Sequence, residues 1–287
     1  MKRVYRATFF LSLCLSLGLL PQAGVSKAAT KAKHFTQSLS LSATPVKASM
    51  LAQRSNRAGS LRVLKRLIKE NNRRRQYTID ASYPQLVGAQ SANVAELNRT
   101  LKELITKEVN DFKKNVGPPD SNLPKDIQQN YLDAGYTIEH QSADLISVSF
   151  GFSTYYAGAA HPNRHTLVLN YDLKAGRTLT LADLFNPRSG YMQTISAYTI
   201  RDLKKQLGPS PDTEWIERGA GPASENYKNW TITPKGLNIM FDPYQVASYA
   251  EGSHLVVIPY SALRSVINTE GPLGPLAQRS PMRRGRR

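Results

Sequence analysis

Leu145-Ile146-Ser147-Val148-Ser149-Phe150-Gly151-Phe152-Ser153-Thr154-Tyr155-Tyr156 decides how the rest of the chain folds. Ile146, Val148, Phe150 and Phe152 alternate with Ser147, Ser149 and Gly151, the period-two pattern of a strand with one face buried in an antiparallel sheet. Working outward, the turn Ser142-Ala143-Asp144 joins it to a preceding strand, Tyr131–His140. A Gly- and Pro-containing loop leads to a following strand, His165–Asp172, with Leu167, Leu169 and Tyr171 on one face.

Before this block, Tyr77, Ile79, Tyr83 and Leu86 predict a strand. Asn93 with Glu96 reads as a capping box opening a helix whose inner face is Val94, Leu97, Leu101, Leu104, Ile105, Val109 and Phe112. Gly117-Pro118-Pro119 ends it. After the block, a helix is predicted over Tyr191–Leu207, stopped by Gly208, then a loop over 209–226. A hairpin about Pro234-Lys235, a short strand Leu255–Ile258 and a terminal helix Ser261–Ile267 follow. This order predicts an α+β fold: an antiparallel sheet packed with a long helix of the first module and with a second helix. It forms two consecutive modules, 76–143 and 144–270, with no βαβ alternation to suggest parallel pairing.

The chain has 287 residues and a formal charge of +17, a balance that at face value suggests a nucleic-acid binder. The charge is uneven: residues 1–76 hold 16 basic and one acidic residue, residues 277–287 five basic and none acidic, and residues 77–276 17 basic and 20 acidic. Lys2, Arg3 and Arg6 precede an apolar run from Ala7 to Leu20 and small residues up to Ala28, the pattern of a secretory signal peptide over 1–28. That run falls short of the roughly 20 residues needed to span a bilayer; retention as an anchor is the rival reading. Cys14, the one cysteine, lies inside it, so the exported protein is expected to carry no disulfide. Residues 29–75 read as a disordered basic linker and 271–287 as a disordered basic tail. Within the linker, Leu61, Leu64 and Ile68 recur at helical spacing among cations, which allows a short basic amphipathic helix. Export, and the lack of aromatics interleaved with the arginines, argue against nucleic acid. Attraction of the flanks to an anionic wall polymer or membrane surface is the alternative to simple solubility.

His161-Pro162-Asn163-Arg164-His165 has the i,i+4 spacing that binds zinc on a helix, but Pro162 and the strand after it put the histidines on a loop and a strand start. No metal or other cofactor is expected, and His161 is expected to bond nearby backbone. There is no Gly-x-Ser-x-Gly elbow, no phosphate loop and no assignable carboxylate pair. Asp172, Asp183 and Asp242 stand at element edges, where Asp most often caps a turn. Tyr155, Tyr156, Tyr244 and Tyr249 offer a platform for sugar or protein, since Tyr supplies area and a hydroxyl at low entropic cost; packing is the equal alternative for each.

Three stretches resemble one family. Tyr155-Tyr156-Ala157-Gly158-Ala159-Ala160-His161-Pro162 is similar to the glycine-alanine-histidine loop of the extracytoplasmic domain shared by the anti-sigma factor RsiV and the amino-terminal part of the peptidoglycan deacetylase PdaC. Ala159 stands where that pattern more often has a second glycine. Asn170–Leu173 with Gly176–Phe185, and Phe241–Gly252, resemble its two later motifs. The resemblance covers about 76–268 and implies a domain that binds or senses rather than catalyses, with lysozyme recognition the best-understood case. It implies an exported, non-enzymatic module whose ligand is an envelope protein or a peptidoglycan glycan. The implied ligand-binding residues are Tyr155, Tyr156, Gly158, His161, His165, Tyr244 and Tyr249. An envelope hydrolase using His161 and an Asp, or a deacetylase accessory protein, is the alternative.

Overall fold

The computed structural model describes residues 61–88 and 91–279; the expected signal peptide, most of the expected linker and residues 280–287 of the expected tail lie outside them. The fold is α+β. A six-stranded sheet runs in chain order: β1 (Arg62–Asn72), β2 (Tyr77–Val87), β3 (Asn130–Gln141), β4 (Leu145–Tyr155), β5 (Asn163–Asp172) and β6 (Arg177–Thr178). Helix α1 (Ala92–Asn115) lies on one face, burying Leu97, Leu101, Ile105, Val109 and Phe112 in one core with Ile146, Val148, Phe150 and Phe152 of β4. The alternation that identifies β4 is thus the alternation between the α1 face and the opposite face.

Four local readings change. The pair β2–β3 is parallel, because α1 serves as the crossover between them; the other four pairings of this sheet are antiparallel. The cap of α1 is Ser91, whose Oγ accepts from the Val94 N–H at 3.2 Å. Asn93 instead donates to the carbonyl of Leu173 at 2.9 Å and ties the helix start to the end of β5, while Glu96 pairs with Arg99. Residues 62–72, expected as linker or basic helix, are β1, paired along its whole length with β2. Leu61, Leu64 and Ile68 share helical spacing by coincidence: Ile68 packs against the core while Leu64 and Leu67 stay exposed.

A second core forms around β7 (Trp230–Ile232), β8 (Gly236–Phe241) and β9 (His254–Pro259), an antiparallel sheet in that order. Packed with it are α2 (Tyr191–Gln206), α3 (Thr213–Ala220), α4 (Tyr260–Leu263) and α5 (Gly274–Arg279). Helix α3 occupies part of the span expected as loop; with eight residues and Ile216 as its one large fully buried side chain, it has too little periodicity to show in the sequence. The helix expected over Ser261–Ile267 is a single turn, α4, after which Val266 enters the core from a turn and Ile267 from a bridge to Phe185. Leu273 is fully buried, so the expected tail begins later than 271. The boundary expected at 143/144 cuts the β3–β4 hairpin. The two cores separate later in the chain: Leu173 belongs to the first and Leu179 to the second, while Leu145 reaches the second from the start of β4.

The small sheet sits on the face of the large sheet opposite α1, and a closed polar circuit fixes it there. The Ile232 N–H donates to Ser147 Oγ at 3.0 Å, Ser147 donates to Asn170 Oδ1 at 2.5 Å, and Asn170 Nδ2 donates to the Trp230 carbonyl at 2.8 Å. Ser147 and Asn170 are buried, and their partners are edge groups of β7 with no neighbouring strand to pair with. Asn170→Ala is expected to leave the Ser147 hydroxyl without an acceptor and the Trp230 carbonyl without a donor in the interior, lowering unfolding stability by about 2–3 kcal/mol in denaturant titration with the slope unchanged.

The turn after β6 is held by a capping box in which Asp183 accepts from the Thr180 N–H and hydroxyl, each at 2.7 Å, and from Arg177 at 2.8 and 3.1 Å. The Arg177 guanidinium above all, and then the Thr180 donors, hold the Asp183 carboxyl below its usual 3.8, at about 2, against the opposing effect of burial. A carboxylate depressed on folding contributes stability above its unfolded value and loses it as pH falls. Asp183→Asn is therefore expected to cost about 1 kcal/mol near neutrality, with the difference from wild type disappearing as melts are taken from about pH 4 to pH 2.

Candidate functional site

The loop between β4 and β5 carries His161, and the segment between β8 and β9 carries Tyr244 and Tyr249. The fold brings them together. The His161 ring stacks on Tyr249 at 3.8 Å between centroids with 21° between planes, and its Nε2 is 3.1 Å from the Tyr244 hydroxyl. The Tyr249 hydroxyl donates to the Pro162 carbonyl at 2.8 Å, fastening one loop to the other. The expected backbone bond of His161 is present as Nδ1 to the Pro162 carbonyl at 3.1 Å. Both imidazole nitrogens thus have partners, and the ring is positioned rather than free to rotate. Tyr244 and Tyr249 stand 5.6 Å apart, so the three rings form one cluster.

Tyr244 is 54% exposed and has a backbone φ of +70°, a left-handed conformation that costs a residue with a Cβ roughly 1–3 kcal/mol. Helix α3 holds it there. Trp215 Nε1 donates to the Tyr244 carbonyl at 3.0 Å, and the Gln245 side chain donates to the carbonyls of Gly219 and Asn226. A Cβ on Gly219 would stand 1.9 Å from the Gln245 carbonyl oxygen, so the loop approaches α3 as closely as a bare backbone allows. Trp215 and Gly219 support the Tyr244 segment, and the sequence reading missed both. In the β4–β5 loop the left-handed residue is Gly158, at φ +81°, and Ala159 is not at positive φ. The departure from the family pattern at Ala159 therefore carries no backbone strain.

The remaining expected residues lie elsewhere. Tyr156 packs on Phe112 of α1 at 5.7 Å. His165 stacks on Phe152 at 4.8 Å and bonds Glu108 of α1 at 3.2 Å, on the α1 side of the sheet. Tyr155 stacks with Tyr131 at 5.6 Å on the opposite face. Gly158 shapes the loop through its N–H to the Ile127 carbonyl. Of the seven, the fold brings His161, Tyr244 and Tyr249 into one cluster. Among the described residues no three His, Cys, Asp or Glu side chains converge to hold a metal, and no helix is long and apolar enough to cross a membrane.

Beside this cluster is a trough of about 510 Å³ on the face of the large sheet that the small sheet leaves open. Asp80, Asp133, Arg164, Thr166 and Ser253 line it around Gly135 and Gly151.

Comparison with known proteins finds two family matches, one in each half of the described chain. Residues 70–164 match the family described as Deacetylase PdaC, and residues 182–261 the family described as a protein of unknown function, DUF3298. The chain is 26% identical over 175 residues to the peptidoglycan-N-acetylmuramic acid deacetylase PdaC of Bacillus subtilis, covering 61% of this chain and 37% of that protein. It is 25% identical over 111 residues to the immunogenic protein MPT64 of Mycobacterium tuberculosis, covering 39% of this chain and 47% of the relative. The chain thus spans less than half the length of these curated relatives. A DUF3298-family crystal structure from Bacteroides fragilis superposes with a TM-score of 0.52 at 18% identity, over 77% of this chain and 99% of that one. Another from Pseudomonas aeruginosa gives 0.51 at 13% identity, over 73% and 94%. Those structures share the fold. A PdaC segment followed by a DUF3298 segment across one pair of packed sheets is consistent with the PdaC-type domain family.

Proposed function

We propose that this chain is an exported module of the bacterial cell envelope that binds a peptidoglycan-type glycan on the surface formed by His161, Tyr244 and Tyr249. The observation that carries the reading is the exposed Tyr244 held at positive φ by α3 and bonded to a histidine 83 residues away. Backbone strain at an exposed aromatic costs stability and does nothing for the core, so it marks a place where side-chain position matters more than folding energy. A tyrosine ring offers an apolar face for a sugar ring and its hydroxyl a bond at the edge. Cell-envelope localisation draws on the amino-terminal sequence pattern and on the likeness to a protein named as a peptidoglycan deacetylase. That same name favours a second reading, in which the module accompanies deacetylation of peptidoglycan. Acetate release from peptidoglycan by the purified chain would establish that reading.

Binding is tested with a soluble N-acetylglucosamine–N-acetylmuramic acid tetrasaccharide by calorimetry, with lysozyme as a protein probe. Tyr244→Ala is expected to weaken tetrasaccharide binding roughly tenfold or more, the effect of losing an aromatic anchor. Gly219→Ala is expected to weaken it by displacing the Tyr244 loop from α3 without touching the ligand. Equal affinity of wild type and Tyr244→Ala, or no binding of the tetrasaccharide, overturns the glycan reading. Retention of lysozyme that depends on Tyr244 would move it to a protein ligand.

A further inference from the structure

Five residues cross the open face of the large sheet in one row. The register pairs Lys69 with Asp80, Asp80 with Asp133, Asp133 with Ser153 and Ser153 with Arg164, from β1 to β5. Registered neighbours point to the same face, so the row presents cation, acid, acid, hydroxyl and cation in order. Lys69 and Asp80 bond each other at 2.9 Å. Asp133 and Arg164 make no side-chain ion pair among the described residues. Two strand spacings, about 10 Å, separate their backbones, and only the short Ser153 stands between them.

One row further along, Gly135 faces Gly151 across β3 and β4, with Thr166 beyond on β5. A Cβ on either glycine would meet nothing within 4 Å. Glycine inside a long strand weakens it and gives up side-chain packing, and its use is to let another group come close to the backbone. Here the two glycines leave the floor of the trough bare beside the Asp133–Arg164 row.

We propose that this trough binds a free amino-acid head group, an ammonium and a carboxylate on one carbon. Asp133 takes the ammonium, Arg164 takes the carboxylate, and the Gly135–Gly151 floor admits the carbon that bears them. Other ligand classes fit worse. A simple anion is repelled by two carboxylates, and a simple cation by Arg164 and Lys69. An apolar ligand would strip water from charged groups and return nothing to them. Partial desolvation against the sheet, and then the charge of Asp80, push the Asp133 carboxyl above its ordinary value; an ammonium seated against it offsets both. Both charged residues are exposed and outside either core, so substituting them leaves the fold intact.

The probes are Nε-acetyl-L-lysine and Nε-acetyl-D-lysine, each with a free head group, and their α-carboxamides, titrated into the full chain and followed by amide NMR. At least one enantiomer is expected to shift the Gly135, Gly151 and Ser153 amides, and its carboxamide to bind about tenfold more weakly for want of the charge-assisted bond to Arg164. Asp133→Asn and Arg164→Gln are each expected to weaken the free acid by a similar factor, and Arg164→Gln to abolish the preference for acid over amide. No shift at these amides with either enantiomer, or binding that survives both substitutions, overturns the proposal. The probes carry no sugar and Tyr244→Ala is expected to leave them unaffected, so failure of glycan binding and failure of this site are separate outcomes.

Discussion

The circuit Ile232–Ser147–Asn170–Trp230 is the interaction on which the rest of the molecule depends. A three-stranded sheet laid on the face of another must bring its free edge over a surface that cannot pair with it strand to strand, and each buried, unpaired edge group costs about 1–3 kcal/mol. Two side chains of the large sheet supply the missing donor and acceptor, and in doing so fix the height and direction of β7. The same alternation that gives β4 an apolar face toward α1 gives it Ser147 and Ser149 on the other. Those small polar side chains let β7 come close. Where the serines give way to Gly151 the cover ends, and the trough begins.

Strand β5 links that clamp to the aromatic cluster and to the trough. Asn170 near its end is in the circuit, Arg164 near its start is in the trough, and the His161 loop feeds directly into it. Strand β8, held in the same small sheet as β7, feeds the segment that carries Tyr244 and Tyr249. The aromatic cluster is therefore assembled from the exits of two strands whose relative position the buried circuit decides. Helix α3 then sets the last few ångströms through Trp215, Gln245 and the bare backbone at Gly219. A side chain held by this many contacts loses little further freedom on binding, so in the proposed glycan site the strain at Tyr244 would serve as preorganisation.

Periodicity made the α1-facing half of the fold legible. Leu97, Leu101, Ile105 and Val109 repeat at helical spacing, Ile146 to Phe152 at strand spacing, and all are buried as that spacing requires. What periodicity missed depended on partners distant in sequence. Strand β1 carries cations and two exposed leucines because only one of its edges is paired, so its sequence resembles a solvated segment. The parallel pairing of β2 with β3 is set by where α1 returns the chain, which no residue in either strand records. Likewise the residues of the aromatic cluster stood out singly, as tyrosines and a histidine beside glycines, but their meeting spans 83 residues. Asp133 and Arg164 fall in one row through strand register alone. The interior glycines Gly135 and Gly151 were the one local signal of that trough, since a strand gives up packing there for no gain of its own.

The placement of β1 also changes what the charge of the chain means. Arg62, Lys65, Arg66 and Lys69 lie on an edge strand with exposed Leu64 and Leu67, where unpaired backbone would template the addition of another strand. Cations along such an edge repel a second copy of themselves, a means of keeping a sheet from growing. Others in this region serve within the fold. Arg75 donates to the carbonyls of Lys113 and Val116 at the end of α1, where a cation also complements the helix dipole, and Lys113 pairs with Glu70 of β1. Part of the basicity that first suggests a polyanion partner is therefore structural, guarding an open edge and closing a helix. Arg164 stands apart from both of those roles: it lies on the open face, away from that edge and that helix end, with no ion pair among the described residues.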